Sequence, residues 1–215
     1  MRKINEYRHI VWDFNGTLID DLDIGIEIQK IMMHERGIPP ITREKYLDSF
    51  DFPMRDWYKK NGYDVGEYDK LAGIWSALYD ERVEKCALPK GAKELLDAIR
   101  DVGIGQSIVS ASHTVPLFRS IERLGIGEYF DNVYGLQNNL AHGKAHLCAR
   151  LLDDTGISGG DMLLIGDTTQ DFLTAQTLGS DCALVACGHQ SFSRLKAVND
   201  CTFEDLAQLR YMLFD

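Results

Sequence analysis

Residues 9–21 read HIVWDFNGTLIDD, and this stretch decides the fold because an apolar run ends there in a polar turn. Apolar and aromatic residues lead into Asp13, and glycine and threonine follow at Gly16 and Thr17. Such a run, closed by turn residues, is typical of a buried strand that ends in a functional loop. A carboxylate at the tip of that strand can hold a metal ion and attack a phosphoryl group, since carboxylates form covalent phosphoaspartates. We therefore expect Asp13 to be a functional residue.

The whole chain has the composition of an ordinary globular protein. Its 215 residues are 45% hydrophobic and 10% aromatic, which suits one domain of good size or a core domain with a smaller insert. No apolar run approaches the roughly 20 residues that span a bilayer, and the first residues show no secretory signal pattern. We therefore expect a cytoplasmic protein without a membrane partner.

The acidic charge balance limits the possible partners. A formal net charge of −10 argues against nucleic-acid binding, because affinity for the phosphate backbone comes from clustered lysine and arginine. Five scattered cysteines without C-x-x-C spacing predict reduced, mostly structural thiols. An anionic substrate would need local attraction, which a divalent cation and one or two lysines could supply.

Beyond the first strand, the chain divides into a helical part and an alternating part. Residues 20–88, here called the helical insert, carry helical periodicity and few strand signals. Amphipathic helices that alternate with strands form right-handed crossovers and a parallel sheet. The predicted fold is α/β, a doubly wound, Rossmann-like parallel sheet (1–19 and 89–215) with an all-helical domain (20–88) inserted after the first strand. The predicted later helices are 92–102, 115–124, 144–152 and 172–178, and the predicted later strands are 105–110, 132–134, 162–167 and 181–187.

Polar residues gather at the carboxyl ends of the predicted strands. In an open doubly wound sheet, ligands bind beyond these ends, at the point where the strand order reverses. Complementary polar groups that are far apart in sequence should therefore meet at one edge of the sheet. They are Asp13, Ser110 and Asp167 at the strand ends, Asn15, Ser112 and Asp171 just past them, and Lys144 at the start of a helix.

Four motifs that contain these residues resemble those of the haloacid dehalogenase superfamily. They are DFNGTL from Asp13, IVSAS around Ser110, HGKAH around Lys144, and LLIGDTTQDFLTAQTLG with Asp167 and Asp171. Each motif is a weak signal alone, but the four occur in the right order and span nearly the entire chain. Within the superfamily, the sequence is similar to the phosphatases of the phosphoglycolate phosphatase branch.

The resemblance implies an Mg²⁺-dependent phosphohydrolase that acts on a small phosphorylated metabolite through an aspartyl-phosphate. Asp13 would be the nucleophile, and its other oxygen would bind Mg²⁺ together with the backbone carbonyl of Asn15. Asp167 and Asp171 would complete the metal site, and their spacing at a strand-to-helix junction places two hard oxygen donors together, as Mg²⁺ requires. Asp171 could also cap the helix that it precedes.

The resemblance also implies which residues bind the substrate. Lys144 would neutralise charge in the transition state and keep Asp13 ionised, the electrostatic role that phosphoryl transfer demands. Ser110 would donate a hydrogen bond to a phosphoryl oxygen, and backbone N–H groups near Asn15 and Ala111 would add to it. The implied substrate-binding residues are Gly16, Thr17, Ser110, Ala111, Lys144 and Arg55.

The helical insert resembles a cap that closes over the active site and provides specificity. A lid excludes water during phosphoenzyme formation and admits it afterwards. Arg55, Lys59 and Lys60 are candidates for binding a distal anion of the substrate, although a solvated helix face is favoured for at least two of them. His142 and His146 have the spacing of a zinc pair, but surface or substrate-loop roles are favoured.

Asn15 departs from the family pattern, which usually has an aspartate there to protonate the leaving group and to activate water. An amide has no titratable proton near neutral pH, and losing a general acid–base typically lowers the rate by about 10²- to 10⁴-fold. Four hypotheses follow. They are a slow phosphatase that uses another proton donor, a hydrolase of an activated substrate such as an acyl phosphate, a non-hydrolytic phosphate-binding or regulatory protein, and deamidation of Asn15 to aspartate.

Overall fold

Within residues 1–136 and 144–215, which the computed structural model describes, six parallel strands form one sheet. Its order is β3-β2-β1-β4-β5-β6, so the strand order reverses between β1 and β4. This reversal places the ends of β1 and β4 side by side, where ligands bind in doubly wound sheets. The strands are β1 (His9–Trp12), β2 (Gly105–His113), β3 (Asn132–Leu136), β4 (Met162–Gly166), β5 (Asp181–Val185) and β6 (Thr202–Phe203).

The helical insert forms α1 (Leu22–His34), α2 (Arg43–Ser49), α3 (Met54–Lys60) and α4 (Tyr68–Asp80). Local signals set some of these ends. Gly37 has a φ of 65° just beyond α1, and the Thr42 hydroxyl accepts the N–H of Lys45 to cap α2. The apolar faces pack into a cluster that includes Ile28 and Trp57. The insert therefore has a hydrophobic core of its own, and the domain limits 1–19, 20–88 and 89–215 stay a prediction.

Six further helices cover the two faces of the sheet in the described part of the chain. Successive strand residues point to opposite faces. Ile10 and Trp12 pack in the cluster on one face, and Val11 packs in the cluster on the other. The predicted α/β fold is therefore confirmed. α5 (Ala92–Asp101), α6 (Thr114–Leu124) and α10 (Leu206–Phe214) lie on the first face, and α7 (Ala145–Thr155), α8 (Thr169–Leu178) and α9 (Phe192–Val198) lie on the second.

One strand differs from its prediction in a way that affects the site. β2 continues to His113, three residues beyond the predicted end, because His113 pairs with Leu136 of β3. The register shifts between Val109 and His113. Ser110 therefore lies inside an irregular part of β2 and not at the end of the strand.

Two predictions from composition concern disulfides and membranes. All five cysteines are free, and the reduced state of their thiols stays a prediction. In the described part of the chain, every helix is too short or too polar to cross a bilayer.

Candidate active site

The candidate site lies beside the reversal of strand order, and a lysine is at its centre. Asp13 directly follows β1, and its backbone N–H donates to the carbonyl of Ile165 in β4 at 2.9 Å. Asp167 directly follows β4, and Asp171 lies in the first turn of α8. Lys144 Nζ donates to Asp13 Oδ1 at 2.5 Å and to Asp171 Oδ1 at 2.7 Å. The four residues from the three predicted motifs are thus close together and buried.

Asp13, Asp167 and Asp171 form an acidic cluster, in which three buried carboxyl groups share one neighbouring ammonium, that of Lys144. One carboxylate oxygen from each residue lies within 4.8 Å of the others. Burial raises the pKa of Asp13 to about 8, and the neighbouring Asp171 and Asp167 raise it further while Lys144 lowers it. Burial also raises the pKa of Asp167 to about 7. Three hard oxygen donors held this close together fit a divalent cation such as Mg²⁺, whose charge would favour the ionised carboxylates.

Lys144 remains the positive partner of the cluster. Burial alone would lower its pKa, but the adjacent Asp13 and Asp171 outweigh burial and raise it above its ordinary value. The side chain therefore stays protonated at neutral pH. A buried ammonium that contacts two carboxylates can stabilise negative charge where Asp13 would react.

Hydrogen bonds fix the other two carboxylates. Asp167 accepts the hydroxyl of Thr17 at 3.2 Å and the backbone N–H of His189 at 2.6 Å. Asp171 Oδ2 accepts both the backbone N–H and the hydroxyl of Thr168, which forms a capping box at the start of α8. Asp171 thus caps its helix with one oxygen and contacts Lys144 with the other.

Two glycines allow the backbone to approach Asp167 closely. A Cβ atom at Gly16 would lie 2.2 Å from Asp167 Oδ2, and one at Gly188 would lie 2.1 Å from the same oxygen. Gly16 also has a φ of 74°, a backbone conformation that residues other than glycine rarely adopt. Larger residues at these positions would therefore displace a predicted metal ligand.

The side chain of Asn15 has partners at both ends of its amide. Its Nδ2 donates to Asp21 Oδ2 at 2.7 Å and to the Tyr79 hydroxyl at 2.8 Å. Its Oδ1 accepts the hydroxyl of Ser112 at 2.6 Å. The amide is therefore held in one orientation between the loop after β1, the end of β2 and α4 of the helical insert.

Asp21 is a second buried carboxylate next to this loop. Besides Asn15 Nδ2, it accepts the Tyr79 hydroxyl at 2.7 Å, the Gly16 N–H at 2.9 Å and His189 Nε2 at 3.1 Å. Burial would raise the pKa of Asp21, but the charge of His189 and the hydrogen bonds from His189, Asn15 and Tyr79 together outweigh burial and lower that pKa. In turn, burial would lower the pKa of His189, but Asp21, with smaller contributions from Asp167 and Asp13, outweighs burial and raises that pKa to about 9. The two form an ion pair at neutral pH.

Sequence reasoning did not select Asp21, His189 or Tyr79 as site residues. Asp21 closes the quoted stretch HIVWDFNGTLIDD, so it was visible there. His189 follows β5, and applying the strand-end rule to β5 would have found it. Tyr79 lies in a helix with no polar motif, and only the folded structure brings its hydroxyl to Asn15.

The predicted phosphoryl-binding groups have different surroundings. Ser110 is buried, and its hydroxyl oxygen accepts the N–H of Ser112 at 3.1 Å, whereas Ala111 is exposed. The Gly16 N–H donates to Asp21 and to the Ile19 carbonyl. The N–H of Gly16 thus already has acceptors near the loop, whereas among residues 1–136 and 144–215 the Ser110 hydroxyl only accepts a hydrogen bond.

The other predicted side chains, from arginine, lysine and histidine, make no described contact with the acidic cluster. Arg55 donates to the Val65 carbonyl at 3.0 Å and lies over the ring of Tyr68, both within the helical insert. Its role in substrate binding stays a prediction. Lys59, Lys60 and His146 are exposed, and His142 lies outside the described residues.

In EDTA, we expect the free energy of unfolding to fall as the pH rises from about 5 to 9. The pKa values of Asp13 and Asp167 rise on folding from 3.8 to about 8 and about 7, and that of His189 rises from 6.5 to about 9. A group whose pKa rises on folding contributes its full stability below the unfolded pKa and loses it as the pH passes the folded pKa. Urea unfolding at pH 5, 7 and 9 measures this slope. Asp13→Asn should reduce the slope, and a free energy that rises over this range would contradict the expectation.

The chain is similar to known proteins over most of its length. The family model for haloacid dehalogenase-like hydrolases matches residues 10–185. A phosphoglycolate phosphatase of Photobacterium profundum is 24% identical over 97% of this chain and 96% of its own length. A pyrophosphatase of Bacillus velezensis is 22% identical over 94% of each chain.

A solved structure shows the same fold. A haloacid dehalogenase-like hydrolase of Streptococcus pneumoniae superimposes with a TM-score of 0.80 at 20% identity and covers 97% of this chain and 99% of its own. The predicted resemblance to the phosphatases of this family is confirmed by the family match and these relatives. The chain belongs to the haloacid dehalogenase-like hydrolase family.

Proposed function

We propose that the chain is an Mg²⁺-dependent phosphohydrolase that acts on a small phosphorylated metabolite through a phosphoaspartate on Asp13. The observation that carries the proposal is the position of Lys144 Nζ, 2.5 Å from Asp13 and 2.7 Å from Asp171 within a buried acidic cluster. A carboxylate at a strand end, next to a fixed ammonium, suits nucleophilic attack on phosphorus. The names of the curated relatives, a phosphoglycolate phosphatase and a pyrophosphatase, support the same chemistry.

The proposed reaction has two displacements at phosphorus. An oxygen of Asp13 forms a bond to phosphorus as the bond to the leaving group breaks. A water molecule then attacks the same phosphorus, and the bond to Asp13 breaks to release phosphate and the free carboxylate. Lys144 and the Ser110 hydroxyl stabilise the negative phosphoryl oxygens in both steps.

The acidic cluster would hold the metal ion. Asp13, Asp167 and Asp171 supply carboxylate oxygens, and the backbone carbonyl of Asn15 is the proposed fourth protein ligand. When bound, Mg²⁺ would supply positive charge that orients the phosphoryl group and screens it from the carboxylates.

Mg²⁺ should raise the melting temperature by about 5 to 10 °C at a concentration of about 100 Kd. Binding to the folded state alone contributes about 2.7 kcal/mol there, and each kcal/mol raises Tm by about 2–4 °C in a chain of this size. Asp167→Asn should abolish most of this shift in a thermal unfolding series. The matched control is Asp200→Asn. Its side chain is fully exposed and precedes β6, at the amino ends of the strands, whereas the candidate site lies at their carboxyl ends. Equal shifts in the two variants would count against the metal site.

Asn15 favours substrates whose leaving groups need no proton. Both hydrogens of its amide are directed to Asp21 and Tyr79, and an amide is not an acid near neutral pH. Acyl phosphates and phosphoanhydrides have such leaving groups, and the Bacillus velezensis relative is named a pyrophosphatase. Among the hypotheses, hydrolysis of an activated phosphate is therefore the one that we propose.

The surroundings of Gly16 argue against deamidation of Asn15. That reaction needs the Gly16 nitrogen to attack the side-chain carbonyl of Asn15. The Gly16 N–H instead donates to Asp21 at 2.9 Å and to the Ile19 carbonyl at 3.0 Å. These hydrogen bonds hold the nitrogen away from the geometry of attack.

Initial rates on three substrates test the proposed function. With Mg²⁺, we expect acetyl phosphate and p-nitrophenyl phosphate to be hydrolysed at least about 10²-fold faster than phosphoglycolate, the lower end of what a missing general acid costs. EDTA should abolish all three activities. Equal rates would mean that another group donates the proton. No hydrolysis of any substrate, with phosphate binding retained, would favour the non-hydrolytic alternative.

A further inference from the structure

Asp21 is a buried carboxylate that the proposed reaction does not use. It is 2% exposed and directly precedes α1, where the loop after β1 enters the helical insert. One oxygen accepts Asn15 Nδ2 and the Tyr79 hydroxyl, and the other accepts the Gly16 N–H and His189 Nε2. A buried charge with this many donors is costly to disturb.

Asn15 and Asp21 match each other as donor and acceptor. The Asn15 amide donates through Nδ2 to a carboxylate that has only acceptor atoms. The Ser112 hydroxyl donates to the opposite end of the same amide, so the orientation of the amide is fixed by its neighbours. A carboxylate at position 15 would place two acceptors of like charge about 2.7 Å apart, without a donor between them.

We propose that Asp21 is a positioning residue for the loop at Asn15 and Gly16, and that residues 15 and 21 form an amide–carboxylate pair whose members can be exchanged. Asp21 holds the side chain of Asn15 with one oxygen and the backbone of Gly16 with the other. Asp13 lies two residues before Asn15. The hydrogen bonds of Asp21 to Asn15 and Gly16 therefore fix the position of the nucleophile relative to Lys144. The role in turnover rests on the proposed function, whereas the pairing itself does not.

The exchanged pair would keep the same kinds of hydrogen bonds. An aspartate at position 15 can accept from an asparagine at position 21, from the Tyr79 hydroxyl and from the Ser112 hydroxyl. The side-chain oxygen of that asparagine can still accept from the Gly16 N–H and from His189 Nε2, while the charge that balances His189 moves to position 15. Either single change instead leaves two carboxylates or two amides face to face. The pair therefore predicts rescue in the double variant.

A double-mutant cycle tests the pair with Asn15→Asp, Asp21→Asn and the combined variant. Tm is measured in EDTA, and kcat and KM are measured with p-nitrophenyl phosphate and Mg²⁺. Each single change should lower Tm by about 5 °C or more and lower kcat by about 10- to 10²-fold, with a smaller change in KM. The combined variant should have a higher Tm than either single variant and a kcat near or above that of the wild type. Asp101→Asn, at an exposed position at the end of α5, is the matched control and should leave all three quantities unchanged.

Two results would overturn the proposal. The first is that Asn15→Asp has the Tm of the wild type and an undiminished kcat. The second is that the loss of Tm in the combined variant equals the sum of the losses in the two single variants. If Asp21→Asn does not fold, a combined variant that folds supports the pair, and one that does not fold contradicts it. If even the wild type fails to hydrolyse p-nitrophenyl phosphate, the proposed function fails, and the Tm cycle still decides whether residues 15 and 21 are paired.

Discussion

Asp13→Asn is expected to lower kcat for p-nitrophenyl phosphate by at least about 10⁴-fold, the scale on which losing a catalytic nucleophile acts in other enzymes. The amide that replaces the carboxylate is a poor nucleophile toward phosphorus and carries no charge to bind a cation. The loss should appear in kcat, because Lys144 and Ser110 remain to bind the phosphoryl group. Steady-state rates over a range of substrate concentrations measure the effect.

The stability of Asp13→Asn distinguishes a catalytic loss from a folding defect. In EDTA, the variant should melt at the same temperature as the wild type or higher, because a carboxyl group that is costly to ionise in the buried cluster is gone while Lys144 keeps Asp171 as its partner. Asp200→Asn serves again as the exposed control. A variant that retains more than about a hundredth of the wild-type kcat would be inconsistent with Asp13 as the nucleophile.

Lys144→Met is expected to have the second largest effect, on both activity and stability. Removing one preorganised cationic donor lowers kcat by about 10²- to 10³-fold in comparable sites. It also leaves Asp13 and Asp171 buried without their shared partner, which costs about 3–5 kcal/mol when a buried pair is broken. Kinetics with p-nitrophenyl phosphate and thermal unfolding in EDTA measure the two effects.

Mg²⁺ provides an internal check on the Lys144→Met result. The cation can replace part of the lost positive charge, so Mg²⁺ should raise the Tm of the variant more than that of the wild type. Lys30→Met, at an exposed position on α1, should resemble the wild type in Tm and kcat. A Lys144→Met protein as stable in EDTA as the wild type would mean that the ammonium does not hold the cluster together.

The sequence predicted the site where local pattern and chain topology act together. The apolar run HIVW specifies a buried strand, and the rule for strand ends then places Asp13 and Asp167 at one edge. These two residues indeed follow β1 and β4, which are neighbours. Lys144 required the family resemblance, since a single lysine before a helix is ordinarily a solvated charge.

The rest of the site depends on contacts between distant segments. Tyr79 reaches Asn15 from α4, 64 positions along the chain, and His189 reaches Asp21 across 168 positions. No periodic pattern in the sequence predicts either contact, because each depends on how the helical insert packs against the sheet. Ser110 likewise lies inside β2 because pairing with β3 extends that strand, and a single segment read alone cannot show such pairing.

The most direct test of the central claim is to trap the phosphoenzyme. The wild type and Asp13→Asn are mixed rapidly with p-nitrophenyl phosphate and Mg²⁺, quenched in acid and examined by peptide mass spectrometry. We predict an early burst of p-nitrophenol of about one equivalent in the wild type, with one phosphoryl group on the peptide that contains Asp13 and none in Asp13→Asn. Steady release of p-nitrophenol with no phosphoryl group on Asp13, undiminished in Asp13→Asn, would contradict the account.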